Sequence, residues 1–478
     1  FKATFAYTWR EVRDENFYNQ DTYYGDPTYS STRSNGSFNY KEWNSWSNEY
    51  TLTYKKRIQN HNINGMLGAS LSSQQISNLG AKAVMTPWDE LGFWGIDEGT
   101  PQTVTSNNVK NNMLSFFARF NYDWKSRYLL TATMRADGTS RFVNHKWGYF
   151  PSASFAWRIS DEPFMARIGS WLSNLKLRIG WGATGNNVTQ YNYPGNQLYS
   201  GSQNYAFNGT IYLSQIANKD LKWETTYQSN AGIDFGILNN RINGSIDIYN
   251  KDTRDLLLYA DVPPSIGFTQ VQQNVGSINN RGLEITLNGT ILPGGKGRLK
   301  WSSSFNISFN KNKITALSDG QLSRKAGIRY PSISDLYICK VGSPLSEMYG
   351  YVYDGVYQYE DFDEVAPNVF VLKAGIPNNT NERSNIRPGD PKLRDINGDG
   401  QVTAEDQTVI GHGLPLHTGG FTNNFEWKGF DLSIFLQWSY GNDVINYNRV
   451  KLESLDSRHI NQLATVQDHW TPRTLNTD

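Results

Sequence analysis

The feature that most limits what this chain can become is an alternation of period two that returns from one end to the other. Phe1, Ala3, Phe5, Tyr7 and Trp9 alternate with Lys2, Thr4, Ala6 and Thr8. Successive side chains of a strand point to opposite sides, so the pattern predicts a strand with one apolar and one polar face. Leu114, Phe116, Ala118, Phe120, Tyr122 and Trp124 repeat it, as do Leu432, Ile434, Leu436, Trp438 and Tyr440. Thirteen such segments can be read along the chain. Their other faces are polar, as in Thr131, Thr133, Arg135 and Asp137, or Ser302, Ser304, Asn306 and Ser308. The pattern explains how a chain only 38% hydrophobic carries 14% aromatic residues, a share that excludes disorder. No run approaches the roughly 18 apolar residues of a transmembrane helix. Cys339 is the only cysteine, so neither an intrachain disulfide nor a thiolate metal cluster can form. Forty-five basic residues against 44 acidic ones leave no basic excess for nucleic acid.

A soluble sandwich could show the same alternation, so the connections decide. Short ones fall at 57–61, 125–127, 238–241, 293–297 and 428–429, with an intermediate one at 161–174. Long ones fall at 10–40, 76–110, 138–148, 185–220, 252–280 and 311–418, and after 441. Every second connection is therefore tight and every other one long. That is the rhythm of an antiparallel outer-membrane barrel, with short turns in the periplasm and long loops outside. Segment lengths fit the roughly 9–11 residues that cross a bilayer. Trp9, Trp124, Tyr128, Trp181, Trp427 and Tyr440 at segment ends suit interfacial aromatic girdles. The alternating segment from Met348 to Tyr357 is read as part of the large 311–418 outer loop, not as a span. An odd number of strands does not close a bacterial barrel, so the expectation is a single partial barrel domain over 1–478.

Several motifs fall in a fixed order: RADGTSRF (135–142), GYFPSASFAWR (148–158), LKLRIGWGATGN (175–186), WETTY (223–227), NRGLE (280–284) and DINGDG (395–400), then Asp406 and Ile410-Gly411. This series resembles the SusC/RagA family of TonB-dependent outer-membrane transporters of Bacteroidota, over nearly the whole chain. The resemblance implies a barrel of about 22 strands around an N-terminal plug. It also implies energy drawn through TonB, a SusD-like surface lipoprotein as lid, dimers of transporter–lipoprotein pairs, and oligosaccharides or, in some members, peptides as substrates. No TonB box or plug is recognisable here, and about nine strands of such a barrel would be missing.

The sharpest local motif is a calcium-type loop. Asp395, Asn397, Asp399, the Gln401 carbonyl and Asp406 hold positions 1, 3, 5, 7 and 12 of an EF-hand spacing, with Gly400 at position 6. Asp406 replaces the usual bidentate Glu, and Glu405 offers a second carboxylate. The plainer alternative is a turn closed by side-chain to backbone hydrogen bonds. Gly180, Gly182 and Gly185 match GxGxxG, but a loop rather than a helix follows, so close packing is the better reading. Arg135, Asp137 and Arg141, and separately Lys176 and Arg178, share polar-face parity. They should face the lumen, toward plug or substrate, or simply brace the wall. Trp43, Trp46, Trp88 and Trp94 fall on or near the first two outer loops. They are candidates for substrate or lid contact, with loop packing as the alternative. No HExxH, GxSxG or P-loop is present, and no catalytic residue is assigned. Two further readings remain open: a siderophore- or vitamin-type receptor without a lid, and a β-rich surface glycan-binding protein.

Overall fold

Alternating sequence becomes alternating structure. The computed structural model describes residues 1–28, 30–169, 171–189, 193–205, 208–328, 333–455 and 460–472. Thirteen strands form one antiparallel sheet whose hydrogen-bonded order is the chain order. They are β1 (Lys2–Tyr18), β2 (Asn35–Ile58), β3 (His61–Val84), β4 (Thr100–Trp124), β5 (Tyr128–Thr139), β6 (Trp147–Arg158) and β7 (Leu172–Asn186). The rest are β8 (Glu224–Ile237), β9 (Ile242–Arg254), β10 (Ser277–Gly295), β11 (Arg298–Ala316), β12 (His417–Trp427) and β13 (Phe430–Tyr440). All thirteen predicted strands are present. No described helix is long and apolar enough to cross a membrane, which says nothing of strands.

Register keeps the two faces separate. Leu67 stands across from Leu52 on one side and Ala118 on the other. Phe116 stands across from Ala69 and Ala136. These apolar residues are not buried: Leu67 is 62% exposed, Phe116 50% and Leu436 56%. An apolar face of this extent calls for a lipid solvent, since soluble monomers rarely expose more than a few hundred Å² in one patch. Tight turns close one end of the sheet. The two-residue loop between β12 and β13, Lys428-Gly429, has positive φ at both positions, the geometry whose twist matches flanking strands.

The strands run further than the alternation suggests. β2, β3 and β4 have 24, 24 and 25 residues, so the first two long connections shrink to 19–34 and 85–99. Backbone pairing continues where the apolar face ends, through stretches such as Ser73, Gln74 and Gln75 paired with Asn112, Asn111 and Lys110. With both faces polar there, no period marks the continuation.

Two compact units are distinguished: residues 1–235 with 251–275, and residues 236–250 with 276–478. In the first, Phe142, Phe150, Ala183, Leu221, Trp223 and Leu257 form a buried cluster. Four of the sequence motifs meet here. Phe142 and Phe150 both present edges to Trp223, with centroids 6.0 and 5.4 Å away, and the Trp223 indole N–H donates to the Lys146 carbonyl at 3.0 Å. Gly185 makes room for Phe150, since a Cβ there would lie 2.1 Å from its ring. Gly182 likewise meets Ser152, so these glycines serve close packing within β7.

In the second unit, the excursion between β11 and β12 carries its own core of Tyr357, Phe362, Leu372 and Ile386. Its strand Glu347–Gly350 pairs with Ile333–Lys340 and Thr408–His412, and Tyr353–Val356 pairs with Pro391–Leu393. The segment from Met348 to Tyr357 is therefore part of the excursion, as its alternation alone could not decide.

Candidate functional site: the polar face and the excursion loop

The polar face of the first unit brings some of the predicted residues together and separates others. Arg135 and Asp137 lie two apart on β5. The Arg135 Nε donates to both Asp137 carboxylate oxygens at 2.8 Å, and a terminal nitrogen donates to Ser115 Oγ at 3.0 Å. Its guanidinium also lies over the Phe117 ring, 5.6 Å from the centroid. On β7, Arg178 forks onto Asp234 of β8 with contacts of 2.6 to 3.0 Å, and the Lys176 Nζ lies 3.7 Å from the same carboxylate. The first set balances its own charge within the wall, and the second gathers two cations on one carboxylate. Asp234 was not singled out from the sequence; an Asp at polar-face parity beside two basic residues was the available signal.

Arg141 corrects the parity argument. β5 ends at Thr139, so Arg141 lies in the connection beyond it and strand alternation does not place it. Its guanidinium donates to Thr189 Oγ1 at 3.2 Å, and burial pushes its pKa down. There it helps line a groove of 280 Å³ with Ser45, Ser47, Gln74, Asn111 and Asn187. The Asn111 amide oxygen is buried and has no partner among the described residues. Hydroxyls, amides and one guanidinium share this lining with Trp46 and Met113, a mixture suited to neutral polar ligands that also carry an apolar face.

The tryptophans divide. Trp43 and Trp46 are not on loops: both lie within β2, and they face opposite sides of it. Trp46 stands across from Tyr7 on the apolar face. Trp43 stands across from Arg10, with the Arg10 guanidinium 4.8 Å and the Lys41 ammonium 4.7 Å from its ring centroid. The reason is again the hidden strand continuation. Trp88 and Trp94 do lie in the 85–99 connection, 60% and 76% exposed, and Trp94 packs edge-on to Phe93 at 5.6 Å.

The 395–406 loop is built from side-chain to backbone bonds. Asp395 accepts from the Gly398 and Gly400 amides at 2.7 and 2.8 Å, and Asn397 and Asp399 each accept from the amide two residues on. Gly398 and Gly400 both have positive φ. Asp406 is wholly buried and accepts from the amides of Ile396, Asn397 and Thr403 at 2.8, 3.2 and 2.7 Å. Those bonds, the Thr403 amide foremost, hold its carboxyl below the usual range although burial opposes them. Among the described residues no group of three or more His, Cys, Asp or Glu is gathered as a metal cage. Asp406 thus braces the backbone here, leaving Asp395, Asn397 and Asp399 as the oxygen donors that a cation could use.

Comparison with known proteins places this architecture. Residues 1–339 match the family model of the TonB dependent receptor-like β-barrel. The TonB-dependent receptor P39 of Formosa agariphila is 31% identical, the alignment covering 98% of this chain and 46% of that protein. The TonB-dependent receptor SusC of Bacteroides thetaiotaomicron is 34% identical over 71% of this chain and 32% of its own length. A structure of the RagAB peptide importer in its closed-closed state superposes with a TM-score of 0.76 at 25% identity, covering 100% of this chain and 49% of that one. The chain belongs to the TonB-dependent receptor β-barrel family, of the SusC/RagA type, whose place is the bacterial outer membrane. It spans less than half the length of the curated relatives it matches. Membership removes the soluble glycan-binding reading and gives the exposed apolar face its solvent. The family is one of receptors and transporters, not enzymes.

Proposed function

We propose that this chain forms the larger part of the barrel of a SusC/RagA-type importer. The importer takes up oligosaccharides or peptides with energy supplied through TonB and with a SusD-like lipoprotein as lid, assembled as pairs of transporter–lipoprotein units. The observation that carries the reading is similarity along the entire chain to the RagAB peptide importer, together with 34% identity to SusC. Short turns face the periplasm and long connections face outside, following the rule for such barrels. The polar groove around Ser45, Gln74, Asn111 and Arg141 supports a neutral polar cargo, because hydroxyl and amide donors match sugar hydroxyls and peptide groups equally. Trp88 and Trp94 contact cargo or lid, a role their exposure supports. Asp395, Asn397 and Asp399 hold a calcium ion weakly and stiffen the excursion.

The test uses the whole protein in its native membrane. Affinity-tagged protein is isolated in mild detergent and its companions are identified by mass spectrometry. Uptake of labelled oligosaccharide and peptide pools is then compared in cells with and without TonB. A co-isolated lipoprotein and TonB-dependent uptake of one pool support the reading. Uptake of a ferric chelate with no lipoprotein companion would replace it with the siderophore-type receptor.

A further inference from the structure

On β10 and β11 the register sets Arg281 directly across from Lys311, one step beyond the pair Leu283 and Phe309. Opposed residues share a face, so both cations project from the apolar side of the sheet. Lys313, two residues further along β11, shares that face, across from Asn279. Like charges directly opposite one another destabilise a strand pair. The chain does nothing visible to relieve this. Among the described residues none of the three forms an ion pair, and the Arg281 Nε is met only by the amide oxygens of Asn250 and Asn279, both at 3.0 Å. Glu284 lies on the other face by parity, and Asp252, which shares the face on β9, is held by Arg254.

The cations do not stand on a flat wall. Pairing between β11 and β12 stops at Ser308 and Thr418. Beyond it, the Ile314 amide donates to the Ser343 carbonyl at 2.8 Å, so the segment 342–345 replaces β12 as the neighbour. The step between them opens a groove of 740 Å³, lined by Leu283, Phe309 and Leu416 as well as the three cations. An apolar trough leading from the lipid-facing surface to a triangle of unpaired cations has complementary chemistry to one kind of molecule: an acylated lipid with phosphate on its headgroup.

We propose that this groove binds a phosphorylated, multiply acylated glycolipid of the outer leaflet, with an acyl chain against Leu283, Phe309 and Leu416 and phosphate on Arg281, Lys311 and Lys313. The inference rests on the orientation proposed above, which puts this end of β10 and β11 outside. Binding is read directly, so its failure and a failure of the transport reading are separable.

The whole protein, delipidated in detergent, is titrated with bisphosphorylated lipid A and with its fully dephosphorylated form, and adducts are counted by native mass spectrometry. Wild type should retain the phosphorylated lipid at least tenfold better. Lys311→Gln with Lys313→Gln should abolish that preference, while Lys311→Arg should preserve it and report that the site folds. If the double variant fails to fold, Lys311→Gln alone against Lys311→Arg gives the same reading. Equal retention of the two lipids, or no change in the Gln variants, overturns the proposal. So does equal competition by inorganic phosphate, which would make this a site for the free anion.

Discussion

Tyr357→Phe tests whether the excursion is a folded body with its own core. Tyr357 is wholly buried beside Phe362, Leu372 and Ile386, and its hydroxyl donates to the Pro377 carbonyl at 2.7 Å. Burial pushes its pKa up to about 12, so the hydroxyl remains a donor across the working range. Replacing it by Phe keeps the ring and its packing and removes one donor. A buried acceptor left without its partner costs about 1–3 kcal/mol. At about 2 kcal/mol, local opening becomes roughly 30-fold more frequent, because about 1.4 kcal/mol is one factor of ten. Hydrogen exchange read by mass spectrometry in detergent should show this acceleration in peptides spanning 357–390. Amides of β4 and β5 should not change, since the bond lies entirely within the excursion. Unchanged exchange near Tyr357 would refute the buried bond. Equal acceleration in β4 and β5 would refute the idea of a separate cooperative core.

Acid should loosen the 395–406 loop only late. Asp406 has its carboxyl depressed by amide hydrogen bonds, so its stabilisation is present above the unfolded value near about 3.9 and is lost as pH falls through the lower folded value. Exchange of the Ile396 and Thr403 amides should therefore be protected at pH 5 and released only once pH falls well below about 4, and Asp406→Asn should release them at pH 7; protection surviving that substitution would show that the brace lies elsewhere. Calcium at about 1–10 mM, above the roughly 0.1–1 mM affinity range of weak extracellular sites, should slow exchange across 395–401 several-fold, and indifference to calcium would leave the loop a plain turn. Gly185→Val should sharply lower the yield of heat-modifiable folded protein, because its first side-chain atom already meets the Phe150 ring, and wild-type yield would mean the cluster is looser than described.

Much of the fold is legible in the sequence. The thirteen strands could be counted because a membrane-facing strand must keep one face apolar, and that requirement writes a period of two into the sequence. The glycines of β7 were legible as packing glycines because no helix follows them. The candidate site was less legible. Trp43 and Trp46 read as residues on or near the outer loops, although β2 carries them on opposite faces, because the strand runs on past the stretch where its alternation is clear. Arg141 read as sharing the parity of Arg135 and Asp137 although it falls in the 138–148 connection, where alternation no longer places a side chain because pairing stops at Thr139. The spacing of Asp395, Asn397, Asp399 and Asp406 marked a special loop, but not that Asp406 would turn inward to its own backbone.

What the sequence determined alone was everything that depends on solvent: which residues face lipid, how many times the chain crosses, and where tight turns fall. Solvent acts on each residue locally, so its demand appears residue by residue. Tertiary structure decided which distant residues meet. Phe142, Phe150 and Trp223 come from three separate motifs and become one cluster only when β6 and the connections around it are in place. Arg281 and Lys311 are 30 positions apart, and only the register of β10 on β11 makes them neighbours. Such encounters are set by backbone pairing, which nearly every residue type can make, and so leave little trace in the order of side chains.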